Sequence, residues 1–198
     1  MYKLLLKHQF EQLHPKLQQK YSMQVGDSYK ASGMMTTVYT GPFMLKPFYG
    51  LLTNYHFLFP ESGKNIPFSV EICSKILPSN IFEVIWTRTF HFPHTKRTFI
   101  STMHIHPNGD AYDLLGLPAL AIAKLDAYVS KEGAFLLKSS KQWLNFGWFR
   151  IRIPQFSTMN VTVIEDYDEQ NQAFTIHAIT YHPIFKKMMY YEGFFSHD

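Results

Sequence analysis

The chain has 198 residues, a net charge of +4 from 19 basic and 15 acidic side chains, and one cysteine, Cys73. No Gly/Ser-rich or charged stretch divides it, so residues 1–198 are expected to form a single domain with a sizeable core. The lone cysteine excludes an internal disulfide and a multi-cysteine zinc site, and the modest charge, without a basic run interleaved with aromatics, argues against a nucleic-acid partner. The chain starts MYKLLLKHQF, whose three leucines are too few for a signal peptide, and no apolar run reaches spanning length. An intracellular, cytoplasmic protein is the expectation. Leu6, Phe10, Leu13, Leu17 and Tyr21 recur at helical spacing, and Pro15 predicts two short helices meeting near His14, with the proline in the first turn of the second. Tyr29 to Thr40 is rich in strand formers and ends at the turn signal Gly41-Pro42. Phe43 to Phe59 is apolar almost all round, which predicts a deeply buried helix or, as the alternative, a lid facing lipid or ligand; Pro47, Gly50 and Pro60 interrupt and close it.

Beyond Gly63 the chain becomes a succession of predicted strands. Ile66 to Cys73 places Phe68, Val70 and Ile72 on one face, with Cys73 read as a buried or half-buried inert thiol. Ile81 to His106 reads as a hairpin turning at Phe92-Pro93-His94-Thr95. Its even positions Phe82, Val84, Trp86, Phe90 and Phe92 share a face, as do Phe99, Ser101, Met103 and Ile105 in its second strand. Arg88 and Arg97 fall in the same apolar phase; Arg97 lies near the turn and can reach water along its own stem. A turn at Pro107 to Asp110 and a short connection through Tyr112, Leu114 and Leu115 to Pro118 follow. Further strands are predicted at Leu120 to Val129, Ala134 to Ser139, Trp148 to Ile153, Val161 to Tyr167, Phe174 to His182 and Lys187 to Phe195.

That count, eight to ten strands joined by short links, predicts an antiparallel sheet. So many strands leave costly edges unless the sheet curls, so the expected form is a mainly β, barrel-like or strongly curved sheet with N-terminal helices at one end. The aromatic content, 18 Phe, 12 Tyr and 3 Trp, suits strands and an apolar cavity.

Three groups of residues carry a family resemblance: Leu13-His14-Pro15-Lys16-Leu17, then Trp86-Thr87-Arg88-Thr89-Phe90, then His182-Pro183-Ile184-Phe185 with Tyr190-Tyr191-Glu192-Gly193. In that order they resemble an uncharacterised bacterial family, domain of unknown function 4166. The resemblance spans nearly the full length and implies one domain, but brings no catalytic residue, cofactor or ligand.

Function therefore falls to the residues. His104 and His106 share a strand face and have the spacing of a metal pair, with Asp110 and His91 as the only local supporters; two solvated histidines are the plainer reading, and no metal or other cofactor is assigned. No Gly-x-Ser-x-Gly elbow and no Gly-rich phosphate loop occurs, and no catalytic residue is named. Glu71, Glu83, Glu165, Asp166 and Glu192 lie in or near strands, where spacing alone does not pair them. Arg88 is the most informative side chain: either it is ion-paired to a carboxylate from a neighbouring strand, or it waits in an apolar cavity for the acidic head of an amphipathic ligand. In the second reading Trp86, Phe90, Phe99 and Met103 surround the tail, and Tyr190 or Tyr191, taken as Tyr191, points inward beside the guanidinium. A non-catalytic binding domain for a small apolar or amphipathic molecule is the leading expectation. The alternatives are an enzyme with a metal or acid-base site in the same cavity, and a module docking on membrane or protein through Phe43 to Phe59.

Overall fold

Alternation of apolar and polar side chains carries through into eleven strands. In the computed structural model, which describes residues 1–198, they are β1 (Ser28–Thr40), β2 (Gly63–Leu77), β3 (Ile81–Phe92), β4 (Thr95–Ile105), β5 (Ala111–Leu115), β6 (Ala121–Val129), β7 (Phe135–Asn145), β8 (Arg150–Arg152), β9 (Asn160–Asp168), β10 (Ala173–His182) and β11 (Lys186–His197). Neighbours pair antiparallel in the order β6-β5-β4-β3-β2-β1-β11-β10-β9-β7, and β6 pairs back onto β7. Ten strands thus close into a barrel, and closure removes the unpaired edges that an open sheet of this size would expose. Only β8 lies outside the ring, paired to the end of β7.

The inward phase is the one the alternation predicts: Val84, Trp86 and Phe90 of β3 face Met103 and Ile105 of β4 within one core of 35 buried residues. The helices α1 (Tyr2–Leu6) and α2 (Pro15–Tyr21), with a 3₁₀ segment at Lys7–Gln12 between them, plug one mouth. His14 is the extended residue before Pro15, and its Nδ1 accepts from the Lys16 N–H, capping α2. Tyr2 and Tyr21 pack at a tilt on each other, and both meet the ring of Phe135 at the base of β7, Tyr2 edge-on. His14 N–H also donates to the Gly133 carbonyl in the β6–β7 turn, and Gln9 Oε1 accepts from Val129 N–H. The connections β1–β2, β3–β4, β5–β6, β7–β9 and β10–β11 all lie at the opposite mouth, because strand direction alternates around the ring.

Five local expectations are corrected. Phe43 to Phe59 is not a buried helix: it forms 3₁₀ turns at Phe43–Leu45 and Thr53–Tyr55 around the short helix α3 (Lys46–Leu52), lying across the open mouth as a lid. Strand side chains fill most of the barrel interior, so within α3 only Tyr49 is buried, while Leu58 and Phe59 dip into the core and Phe59 packs on Phe90 and Phe92. The connection through Tyr112 is a strand, β5, whereas the strand predicted at Trp148 to Ile153 shrinks to Arg150–Arg152, because it projects past the barrel end with only β7 to pair with. Cys73 is exposed, since it follows Ile72 and so takes the outward phase of β2. Arg97 does not end in water; its guanidinium grips Glu61 with two hydrogen bonds of 2.8 and 2.5 Å.

Candidate functional site: a polar pair in an apolar barrel cavity

Between the helical plug and the lid the barrel leaves an enclosed, mainly apolar cavity of about 150 Å³. Phe57 and Leu58 of the lid roof it, Phe99, Val163 and Ala178 form apolar walls, and its polar groups include Arg88, Ser101, Asp113 and Tyr191. Each comes from an inward position of a different strand, so the barrel register alone converges them.

Arg88 donates one hydrogen bond, from Nη1 to Ser101 Oγ at 3.2 Å, and lies over the rings of Trp86 and Phe99 with centroid distances of 5.0 and 5.2 Å. No carboxylate is in ion-pair contact with it, so its other N–H groups make no hydrogen bond within the protein. Opposite Met103 on β5, Asp113 also points inward, and its Oδ1 is buried without a hydrogen-bond partner. Burial pushes the Asp113 carboxyl up to about 6, against the opposing pull of the Arg88 charge. The phenol of Tyr191 is raised by the same burial, and its ring meets the edge of Phe90 at 5.4 Å. Gln142 also borders the cavity, but its amide is spent on the backbone N–H and carbonyl of Met159 and on Ser139, which makes it a brace for the wall.

Of the side chains proposed from sequence, Arg88, Phe99 and Tyr191 line this cavity. Trp86 lies beneath the Arg88 guanidinium, and Phe90 and Met103 belong to the packed core around it. Sequence reasoning missed Asp113 and Ser101 as cavity groups. The signal was available, because Ala111, Asp113 and Leu115 alternate as a strand does.

A second charged cluster lies under the plug. Lys20 Nζ of α2 meets Glu165 Oε1 of β9 at 2.5 Å, with side chains only 1% and 3% exposed. Rings of Tyr21, Tyr29, Trp86, Phe174 and Phe195 enclose the ammonium with centroids 4.6 to 5.4 Å away. Burial lowers Lys20, and Glu165 opposes that shift. So closely buried a pair ties the plug to the barrel.

The histidine pair lies on the outer wall. His104 Nε2 is 2.9 Å from Glu83 Oε2, a carboxylate that also holds Lys75, and His106 meets the edge of Tyr112. His91 neighbours Ser69, and Asp110 is paired with Lys124. No three His, Cys, Asp or Glu side chains converge as a metal would require. A hollow of about 730 Å³ over Gly33 and Gly193 on the outer wall is larger than the cavity, but it is open and has no unpartnered buried group.

The short motifs singled out in the sequence acquire roles here. His14 caps α2 and reaches Glu169, Arg88 lines the cavity with its guanidinium over the Trp86 ring, and buried His182 accepts from the N–H groups of Ile184 and Phe185 to close the β10–β11 turn. The profile of the family described as "Domain of unknown function (DUF4166)" matches residues 13–195. The Uncharacterized protein YndH of Bacillus subtilis (strain 168) is 30% identical over 187 residues, covering 94% of this chain and 91% of that protein.

Proposed function

The chain belongs to the family described as domain of unknown function DUF4166, a description that prescribes no chemistry, and from the barrel itself we propose that it binds a small amphipathic molecule in the interior cavity. One observation carries this: an arginine with a single hydrogen bond and an aspartate with an unpaired oxygen face the same enclosed apolar space. The buried Asp113 oxygen left unmatched costs about 1–3 kcal/mol, so a head group that donates to it while accepting from Arg88 is bound with that advantage.

Size and charge narrow the ligand. About 150 Å³ holds a benzene-sized ring or a chain of about six carbons. A longer tail must displace Phe57 and Leu58, which also border an apolar groove of about 430 Å³ under the lid. At neutral pH Asp113 is mostly ionised and offsets Arg88, so the preferred head accepts from the guanidinium and donates to the carboxylate, as an amide or alcohol does. An anionic head is admitted once Asp113 takes up its proton.

Thermal melts with hexanamide, hexanol and hexanoate at pH 5 and 7.5 test this. The neutral compounds are expected to raise the melting temperature at both pH values and hexanoate mainly at pH 5. Arg88→Met should abolish all three effects, and because it leaves the buried Asp113 carboxyl without an opposing charge, the variant should melt lower than wild type at pH 7.5 by more than at pH 5. Absence of any shift with all three compounds, or an Arg88→Met protein that still responds to each, overturns the proposal.

A further inference from the structure

Most of the large apolar side chains left exposed on this barrel gather at its lid end. Phe43 on the lid is 85% exposed, Trp148 at the β7–β8 tip 90%, and Phe156 before β9 73%, with Phe48, Phe149 and Ile184 beside them on the same rim. The β7–β8 tip is preorganised: Phe146 stacks on Phe149 at 4.9 Å, Trp148 stands edge-on to Phe149 at 4.6 Å, and Gly147 takes the left-handed backbone that turns the chain between them.

Charge at this end has one sign. Residues 43–60, 84–109, 114–125, 133–164 and 170–191 contain no Asp or Glu, and Glu61, the acidic residue at this mouth, is held by Arg97. Lys46, Arg150, Arg152, Lys186 and Lys187 stand among the aromatic tips. The acidic side chains lie instead toward the plug, along the barrel wall and inside it.

We propose that this rim docks onto an anionic lipid bilayer, with the aromatic tips entering the interface and the basic side chains resting on headgroups. Separate aromatic fingers ringed by long cationic stems fit a deformable, negatively charged surface, where apolar area and electrostatic attraction add and lysine and arginine stems keep their charges in the headgroup layer. Docking fits the barrel better than spanning, because its outer wall carries Lys30, Glu71, Glu83 and His91 where a lipid-facing barrel needs an apolar band. The inference stands independently of what fills the cavity, although the apolar groove under the lid opens on the same rim.

Flotation of the full chain with vesicles of phosphatidylcholine alone, or with one third phosphatidylglycerol, tests the proposal. Binding to the anionic vesicles is expected, with a marked loss at about 0.5 M salt, where screening leaves a Debye length of a few ångström. Arg150→Glu and Arg152→Glu should each weaken it roughly fivefold or more, and joint Phe43→Ser, Trp148→Ser and Phe156→Ser should abolish it. Should the triple variant melt early, Trp148→Ser alone, at a fully projecting tip, keeps the test sharp and should weaken flotation. Three results would overturn the proposal: no flotation with anionic vesicles, equal binding to both vesicle types, or unchanged binding by the variants. Concentration-dependent self-association that the same substitutions remove, without flotation, would assign the rim to protein contact and equally refute it.

Discussion

Replacing Lys20 by Met isolates Glu165 in the core, and the cost can be bounded from the chemistry of the orphan. Glu165 is 3% exposed, so once its partner is gone it either keeps an unpaired buried charge or takes up a proton. Protonating a carboxyl of ordinary pKa about 4.3 at pH 7 costs about 4 kcal/mol, which caps the loss; at pH 5 the same step costs about 1 kcal/mol. A proton taken up by the stranded carboxyl is bound by the folded variant and released on unfolding, so the variant's stability falls relative to wild type as pH rises. Urea unfolding followed by tryptophan fluorescence suits the measurement, since the Trp86 ring lies 5.4 Å from Lys20 Nζ. Glu165→Gln leaves an ammonium still enclosed by five aromatic rings, each worth about 0.5–2 kcal/mol, and should cost less than the roughly 5 kcal/mol needed to discharge a lysine. Joint Lys20→Met and Glu165→Leu should lose less than Lys20→Met alone, because no charge is left stranded. A Lys20→Met loss below about 1 kcal/mol at pH 7, or one equal at pH 5 and pH 7, refutes this account of the pair.

Asp113 is raised to about 6 by burial, so wild type should lose on the order of 2 kcal/mol between pH 4 and pH 7 from this group alone. Asp113→Asn should remove that slope, and an unchanged difference between the two proteins across that range would show that the carboxyl titrates normally. Gly33→Ala drives a Cβ into the Phe194 carbonyl across the β1–β11 pair, so the wall must part there; a loss of about 2 kcal/mol or more in a urea melt is expected, and a neutral result would mean the strands yield freely. Tyr49→Phe removes the buried hydrogen bond of 3.1 Å from its hydroxyl to the Met188 carbonyl, which should cost about 1 kcal/mol and speed hydrogen exchange in the lid without altering the barrel.

The strand content, the inward phase of the central hairpin and the break at Pro15 were legible because they are local: a pleat alternates every second residue and a proline restricts its neighbour wherever the chain goes. Arg88 stood out by the same rule, and Asp113 and Glu165 obey it too once their strands are placed. Sequence could not say which inward charges would meet. Lys20 and Glu165 are 145 residues apart and touch, whereas Arg88 and Asp113, only 25 positions apart, share a cavity without pairing. Of the two readings of Phe43 to Phe59, the buried helix failed for a related reason, and the segment is a lid. Its apolar side chains ask to be covered, but strand side chains occupy most of the barrel interior, so Phe43 and Phe48 were left outside beside the aromatic β7–β8 tip. Which apolar residues reach the core is a competition for one fixed volume among distant parts of the chain. That competition is settled only when the barrel closes.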